Sequence, residues 1–204
     1  MPKDKTASHV KVMAALREEF LEKGFEGASI RSIGERAGMS AAGLYRHYKN
    51  KNDMFDAMVQ PLVEDINRWL ENHKRSKYEL LDGQADKAEL FDETVIDLVK
   101  EVIYPRKKEF QMLFCCSQGT KYENFIHDFV AGQQGDMAQV IRYMKGQGYP
   151  VQEPLEEELH ILLSAYVTAV LEPVIHDYSE EKTMHCLDII KQFFTPGWMK
   201  IMGL

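Results

Sequence analysis

Cysteine is scarce in this chain: Cys115, Cys116 and Cys186 are the only three among 204 residues. Three thiols at such irregular spacing build neither a disulfide framework nor a zinc site, and they suit a reducing compartment. No alternating β-branched run bounded by turn residues occurs, which argues against a sheet. No unbroken apolar run approaches the roughly 20 residues that a membrane span needs. The opening residues, MPKDKTASHVK, lack the apolar stretch of a secretory signal. Glycine-rich phosphate loops, paired catalytic carboxylates and nucleophile elbows are missing as well. The expectation from these absences is an all-α cytoplasmic protein with no enzymatic activity, no cofactor and no membrane partner.

What is present is a globular composition with lopsided charge. Hydrophobic residues make up 45% and aromatics 10%, too many for a disordered chain. The net charge of −7 conceals +4 over residues 1–52 and −11 over the remainder. A basic head on an acidic body suits polyanion binding confined to one end.

Within the basic head, residues 29–51 read SIRSIGERAGMSAAGLYRHYKNK. Ser29 is a natural N-cap. Ile30, Ile33 and Ala37 recur at helical spacing, and Gly38 follows where a left-handed residue must stop the helix. Ser40 caps a second helix, expected over Ala41–Tyr48. Two short helices around a glycine turn form a helix-turn-helix, whose second helix can enter a DNA major groove.

Periodicity places about nine helices in the chain as a whole. The first is expected from Thr6 to Gly24, with Val10, Met13, Ala14, Phe20 and Leu21 as its buried stripe. A fourth begins near Asn52 and carries Phe55, Met58, Val59, Leu62, Ile66, Trp69 and Leu70, with Pro61 kinking it or marking its first turn. Residues 71–87 are polar and read as a loop. Further helices are expected over 87–104, from Arg106 to near Gly119, over 122–145, from Pro154, and from Ser179. The division expected from this is a DNA-binding head over 1–51 and a body over 52–204.

Residues 25–55, FEGASIRSIGERAGMSAAGLYRHYKNKNDMF, give the head its identity. A glycine-closed first helix, a serine opening the second, A-G-hydrophobic-S at the turn and G-hydrophobic-Y before K-N-K resemble the TetR family of bacterial transcription regulators. The resemblance implies a homodimeric, ligand-responsive regulator, a repressor that leaves its operator when a small molecule binds. Carried onto this chain, it turns Arg31, Ala41, Ala42 and Tyr45 toward base edges. It turns Ser29, Ser40, Tyr45, His47 and Lys51 toward the backbone, where Lys49 adds a mobile cation. Ala41-Ala42-Gly43 gives the reading helix no amide or guanidinium at its tip. Arg31 is therefore the candidate for a bidentate guanine contact, and DNA shape carries more of the selectivity.

For the body, the resemblance implies an effector site among the fourth to seventh helices, with Trp69, Phe110, Phe114, Phe125 and Tyr166 as its lining. A partly hydrophobic ligand suits eleven methionines and nineteen Phe or Tyr residues. The last two helices, with FFTPGWMKIMGL at 193–204, are expected to pair with a second copy, so that two reading helices meet a near-palindromic double-stranded site. Glu123/His127, Glu156/His160 and Glu172/His176 each lie one helical turn apart and read as surface pairs without a third metal ligand. Two alternatives share the pattern: an activator of the same fold, and a helical module that docks on protein instead of DNA.

Overall fold

The computed structural model describes residues 5–83 and 95–204, and among them no strand occurs. The helices are α1 (Lys5–Gly27), α2 (Ile30–Ala37), α3 (Ala41–Leu44), α4 (Lys51–Asp82), α5 (Val95–Leu98), α6 (Lys107–Cys115), α7 (Phe125–Gly146), α8 (Glu156–Ile175) and α9 (Glu180–Met202). The all-helical expectation holds. By packing, the chain divides into a unit of residues up to Glu64 with Arg106–Phe125, and a unit of Asp65–Pro105 with Ile126–Leu204.

The first unit is built on α1, and of the stripe expected of it only Phe20 is buried. Val12, Ala15, Leu16, Glu19 and Phe20 are buried, whereas Val10 is 63% exposed and Ala14 faces solvent. The buried set has the i, i+3, i+4, i+7, i+8 spacing of one helical face, and a glutamate in that face disguised its phase. Gly24 breaks the helical backbone at φ 67°, where the first helix was expected to end, and one further turn follows to Gly27. Phe20, Phe25 and Phe55 then meet edge-on or stacked, with centroids 5.1 to 6.3 Å apart. The Phe25 amide donates to the Cys116 carbonyl at 2.8 Å, and Arg17 pairs with Glu109 at 2.7 Å, so α6 is fastened to α1. Phe110, Met112 and Leu113 of α6 are buried in this unit.

Between α2 and α3 the chain turns at Gly38, φ 65°, whose amide donates to the Glu35 and Gly34 carbonyls. Met39 N–H returns to the Gly34 carbonyl at 2.8 Å. A Cβ on Gly34 would lie 2.6 Å from the Met39 carbonyl oxygen, so only glycine admits this turn. We expect Gly34→Ala to destabilise the unit by about 1–3 kcal/mol, since the obstacle is backbone. Denaturant melts of the variant checks this, and an unchanged midpoint would refute the steric argument.

The regular α3 is shorter than expected. It closes at Leu44, and hydrogen-bonded turns carry the chain onward: Tyr45 N–H reaches the Ala41 carbonyl, and His47 and Tyr48 N–H both reach that of Leu44. Asn50 Oδ1 accepts from Asp53 N–H while Asp53 Oδ2 accepts from Lys49 N–H, a reciprocal cap that starts α4. Along α4, Phe55, Met58, Val59, Leu62 and Ile66 of the expected face are buried together with Met54, while Trp69 and Leu70 are half-buried. Pro61 lies inside the helix.

α4 also runs on to Asp82 through residues expected to form a loop. Lys, Arg, Glu and Leu dominate that stretch and are good helix formers. It is fastened to α7 by Lys74–Asp136 at 2.6 Å and by Tyr78 Oη donating to Gln139 at 2.6 Å. The expected start of the fifth helix at Lys87 lies outside the described residues. Its end differs from a plain α-helix: a π-helical turn covers Val99–Ile103 and a 3-10 turn Tyr104–Arg106. Pro105, which has no N–H to give, sits in the latter.

α8 begins with a one-sided cap in which Leu155 N–H donates to Glu158 at 2.8 Å. It is 20 residues long and holds an 18-residue window of mean hydropathy 1.4, so by length and composition it could cross a membrane, although its apolar residues form no unbroken run of that length. That test averages over the polar positions that interrupt the apolar ones. Leu159, Leu163, Tyr166, Val167, Val170 and Val174 turn inward, as a core helix requires. Ser179 caps α9, accepting from Lys182 N–H. α9 absorbs the C-terminal segment through Pro196, and its Trp198 and Met202 are buried rather than left outside.

Candidate nucleic-acid interface

The residues of the helix-turn-helix divide sharply by exposure. Ile33, Ala37, Gly43 and Leu44 are buried between the two short helices and α1, while Ser29, Arg31, Ser40, Ala41, Ala42, Tyr45, His47 and Lys49 are exposed. α3 therefore presents one side outward, with Tyr45 51% exposed. Ser29 Oγ accepts from Ser32 N–H and Ser40 Oγ from Gly43 N–H at 3.1 Å, so both serines serve as caps. Tyr48 is half-buried, its hydroxyl 3.7 Å from the Met13 sulfur on α1. It belongs to the packing of the head.

Lys51 is already engaged. Its Nζ donates to the carbonyls of Glu26 and Ala28 at 3.1 and 3.2 Å and stands 4.6 Å from the Phe25 ring centroid. It closes the end of α1 with two of its three donors, leaving one for a phosphate. Arg46, passed over in the sequence, is exposed beside Tyr45 and makes no ion pair among the described residues. Its only signal was charge within the motif.

The larger omission is Glu19. This carboxylate is wholly buried and joins α1 to the start of α2. It accepts from Ser32 Oγ at 2.6 Å, from Ser29 N–H at 3.0 Å and from Lys23 Nζ at 3.0 Å. Burial pushes its pKa up, but the hydrogen bonds from Ser32, Ser29 and Lys23 outweigh burial and hold it at about 2. Arg36 of α2 adds contacts to Glu19 and Glu18 at 3.2 Å and to Glu22 at 2.5 Å. The orientation of the helix-turn-helix on α1 is thus fixed by one buried acid and one clamped guanidinium.

The second unit contains a cavity of about 90 Å³. Trp69, Leu70, Tyr166 and Trp198 form part of its wall, with Lys74 and Asp136 at the polar side. Of the residues expected to line an effector site, Trp69 and Tyr166 meet here. Phe110, Phe114 and Phe125 fall in the other unit and do not line this cavity. Phe110 is buried and stacks on Phe114, which is 39% exposed. Trp198 was missed because the Pro-Gly pair before it reads as a helix stop, yet α9 continues through it. Burial pushes the Cys116 thiol up to about 11 and raises that of Cys115 too, which disfavours their thiolates. Of the three Glu-His pairs, Glu172–His176 closes as an exposed contact at 2.8 Å, whereas His160 meets Gln134 at 3.2 Å and Glu123 accepts from Gly119 N–H at 3.1 Å.

An outward second helix, buried hydrophobes behind it and exposed cations beside it define a DNA-binding helix-turn-helix head. Residues 12–58 match the family model of the bacterial regulatory proteins, tetR family. Over 66 residues the chain is 29% identical to the HTH-type transcriptional activator FasR of Mycolicibacterium smegmatis, covering 32% of this chain and 29% of that protein. Over 88 residues it is 28% identical to the HTH-type transcriptional repressor AcnR of Corynebacterium glutamicum, covering 43% and 45%. The matched stretches thus span less than half of either relative. A Clostridium perfringens structure provisionally described as a fatty acid metabolism regulator superposes with a TM-score of 0.61 at 17% identity, over 95% of this chain and 98% of that one. At that identity the likeness is one of fold. The similarity to the tetR family of bacterial regulatory proteins thus rests on residues 12–58.

Proposed function

We propose that this protein is a dimeric transcriptional regulator that binds a near-palindromic DNA operator and leaves it when a small, partly hydrophobic molecule enters the second unit. The observation that carries the reading is the outward face of α3 with Arg31, Tyr45, Arg46, His47 and Lys49 exposed around it. Arg31, 88% exposed, reads a guanine, and Ala41 and Ala42 permit close approach to the groove floor. Repression is our reading of the sign. The relatives support regulation in either sense, since one is an activator and the other a repressor.

The second copy packs on α8 and α9, where Ile161, Leu162, Ile189 and Phe193 are 65, 37, 53 and 76% exposed. A two-fold axis there sets two reading helices roughly 34–36 Å apart, one DNA turn. The cavity beside Trp69 receives the effector. At about 90 Å³ it lies well below the roughly 300–1,000 Å³ of a drug-sized site. Binding therefore separates its walls, and α4, which carries Trp69 to Tyr78 on that wall, also begins at Lys51. The ligand weakens DNA binding only as far as it prefers the widened state, about 1.4 kcal/mol per tenfold.

Sequencing of genomic fragments retained by the purified protein tests the reading, and retention of no fragment at low salt would sink it. On the site so recovered, Arg31→Ala is expected to lower affinity roughly 5- to 150-fold per half-site, about 1–3 kcal/mol, with little change on unrelated duplex. Fluorescence anisotropy on both duplexes separates the two effects.

A further inference from the structure

Arg31 does not stand alone on the outer face of α2. Its Nε lies 3.0 Å from Glu35 Oε1, one helical turn on, in a pair whose side chains are 88 and 68% exposed. As a surface ion pair it is worth little to stability. Its geometry has a different consequence. With Nε spent on the carboxylate, the two terminal nitrogens project together from the far end of the guanidinium, and that fork matches the O6 and N7 acceptors of guanine. The other arginine of α2, Arg36, has its nitrogens committed to Glu18, Glu19 and Glu22. Arg31 is therefore the α2 guanidinium whose terminal nitrogens face outward, and Glu35 is the group that orients it.

We infer that Glu35 is a positioning residue for base readout, holding Arg31 in the rotamer that reads guanine and excluding alternatives in which the same arginine drops onto a phosphate. The inference rests on the DNA-binding reading above. Two forces act in opposite directions. Prepositioning a long side chain reduces the rotamer freedom lost on docking at the right base. A carboxylate on the DNA-facing surface repels phosphates at every sequence, which lowers non-specific affinity. Both raise discrimination, and only the second raises affinity when Glu35 is removed.

The test is selection from a random 30-base-pair duplex pool by wild-type, Arg31→Ala, Glu35→Ala and Glu35→Gln proteins, followed by sequencing and binding to single-site variants. Arg31→Ala identifies the base pair whose guanine preference depends on that arginine. Glu35→Ala is expected to bind random duplex more tightly by a few-fold, yet to lose roughly fivefold or more of the guanine preference at that base pair. Glu35→Gln, whose amide oxygen still accepts from Nε, is expected to keep most of the preference. The inference is overturned by a guanine preference unchanged in Glu35→Ala, or by Arg31→Ala leaving every base preference intact. Failure of the wild-type protein to enrich any sequence removes the DNA-binding reading itself, a result distinguishable from both.

Discussion

Glu19→Ala should unfold the DNA-binding head more readily than any surface change in it, by about 3–5 kcal/mol. The substitution leaves the Ser32 hydroxyl, the Ser29 N–H, Lys23 and the Arg36 guanidinium facing a void where a carboxylate accepted from them. Glu19→Gln keeps the volume and one acceptor and should cost less. The acid also imposes a pH signature. Its folded pKa of about 2 lies below the ordinary 4.5, so its contribution is fully present above the unfolded value and is lost as pH falls through 4.5 toward 2. The full contribution is about 3 kcal/mol, and more than half of it is gone by about pH 3. Urea melts of wild type and Glu19→Gln at pH 6 and pH 3 provide the check. The wild-type advantage should shrink between them, and a gap that stays constant would show that the carboxylate is not held in this network.

That residue also marks where sequence reading stopped. The glycine turn, the two serine caps and the exposed side of α3 follow from short-range rules, because each depends on neighbours within four positions. The phase of α1 does not: a glutamate in a buried stripe looks like a surface position until Ser29, Ser32 and Arg36 are seen converging on it. Lys51 is a parallel case, a basic residue in a DNA-binding motif that the fold also uses to satisfy carbonyls at the end of α1. The long extent of α4 was hidden because polar residues at 71–82 meet α7 through Lys74 and Tyr78, pairings more than sixty positions distant that no periodicity reveals. The same distance effect divided the aromatic residues. Trp69 and Tyr166 meet around one cavity, while Phe110 fills the core of another unit.

The largest effect expected in solution is the loss of DNA binding with salt. Arg31 being given to a guanine, Arg46, Lys49 and the remaining donor of Lys51 give three phosphate-facing cations per head and six per dimer. Counterion release then predicts a slope of log K against log salt near −5, roughly a 10³-fold loss between 50 and 200 mM. The structure refines that number. Lys51 already donates to Glu26 and Ala28. If its ammonium stays on those carbonyls in the complex, only four phosphates are neutralised and the slope is about −4. Lys49→Ala, at an exposed position, should make the slope shallower by about 2 per dimer. Lys51→Met should leave the slope almost unchanged while lowering the melting temperature, because it uncaps α1. Anisotropy titrations across a salt series resolve these cases. A slope near zero would remove the electrostatic account, and a Lys51→Met slope reduced as far as that of Lys49→Ala would show that the ammonium abandons its carbonyls for the duplex.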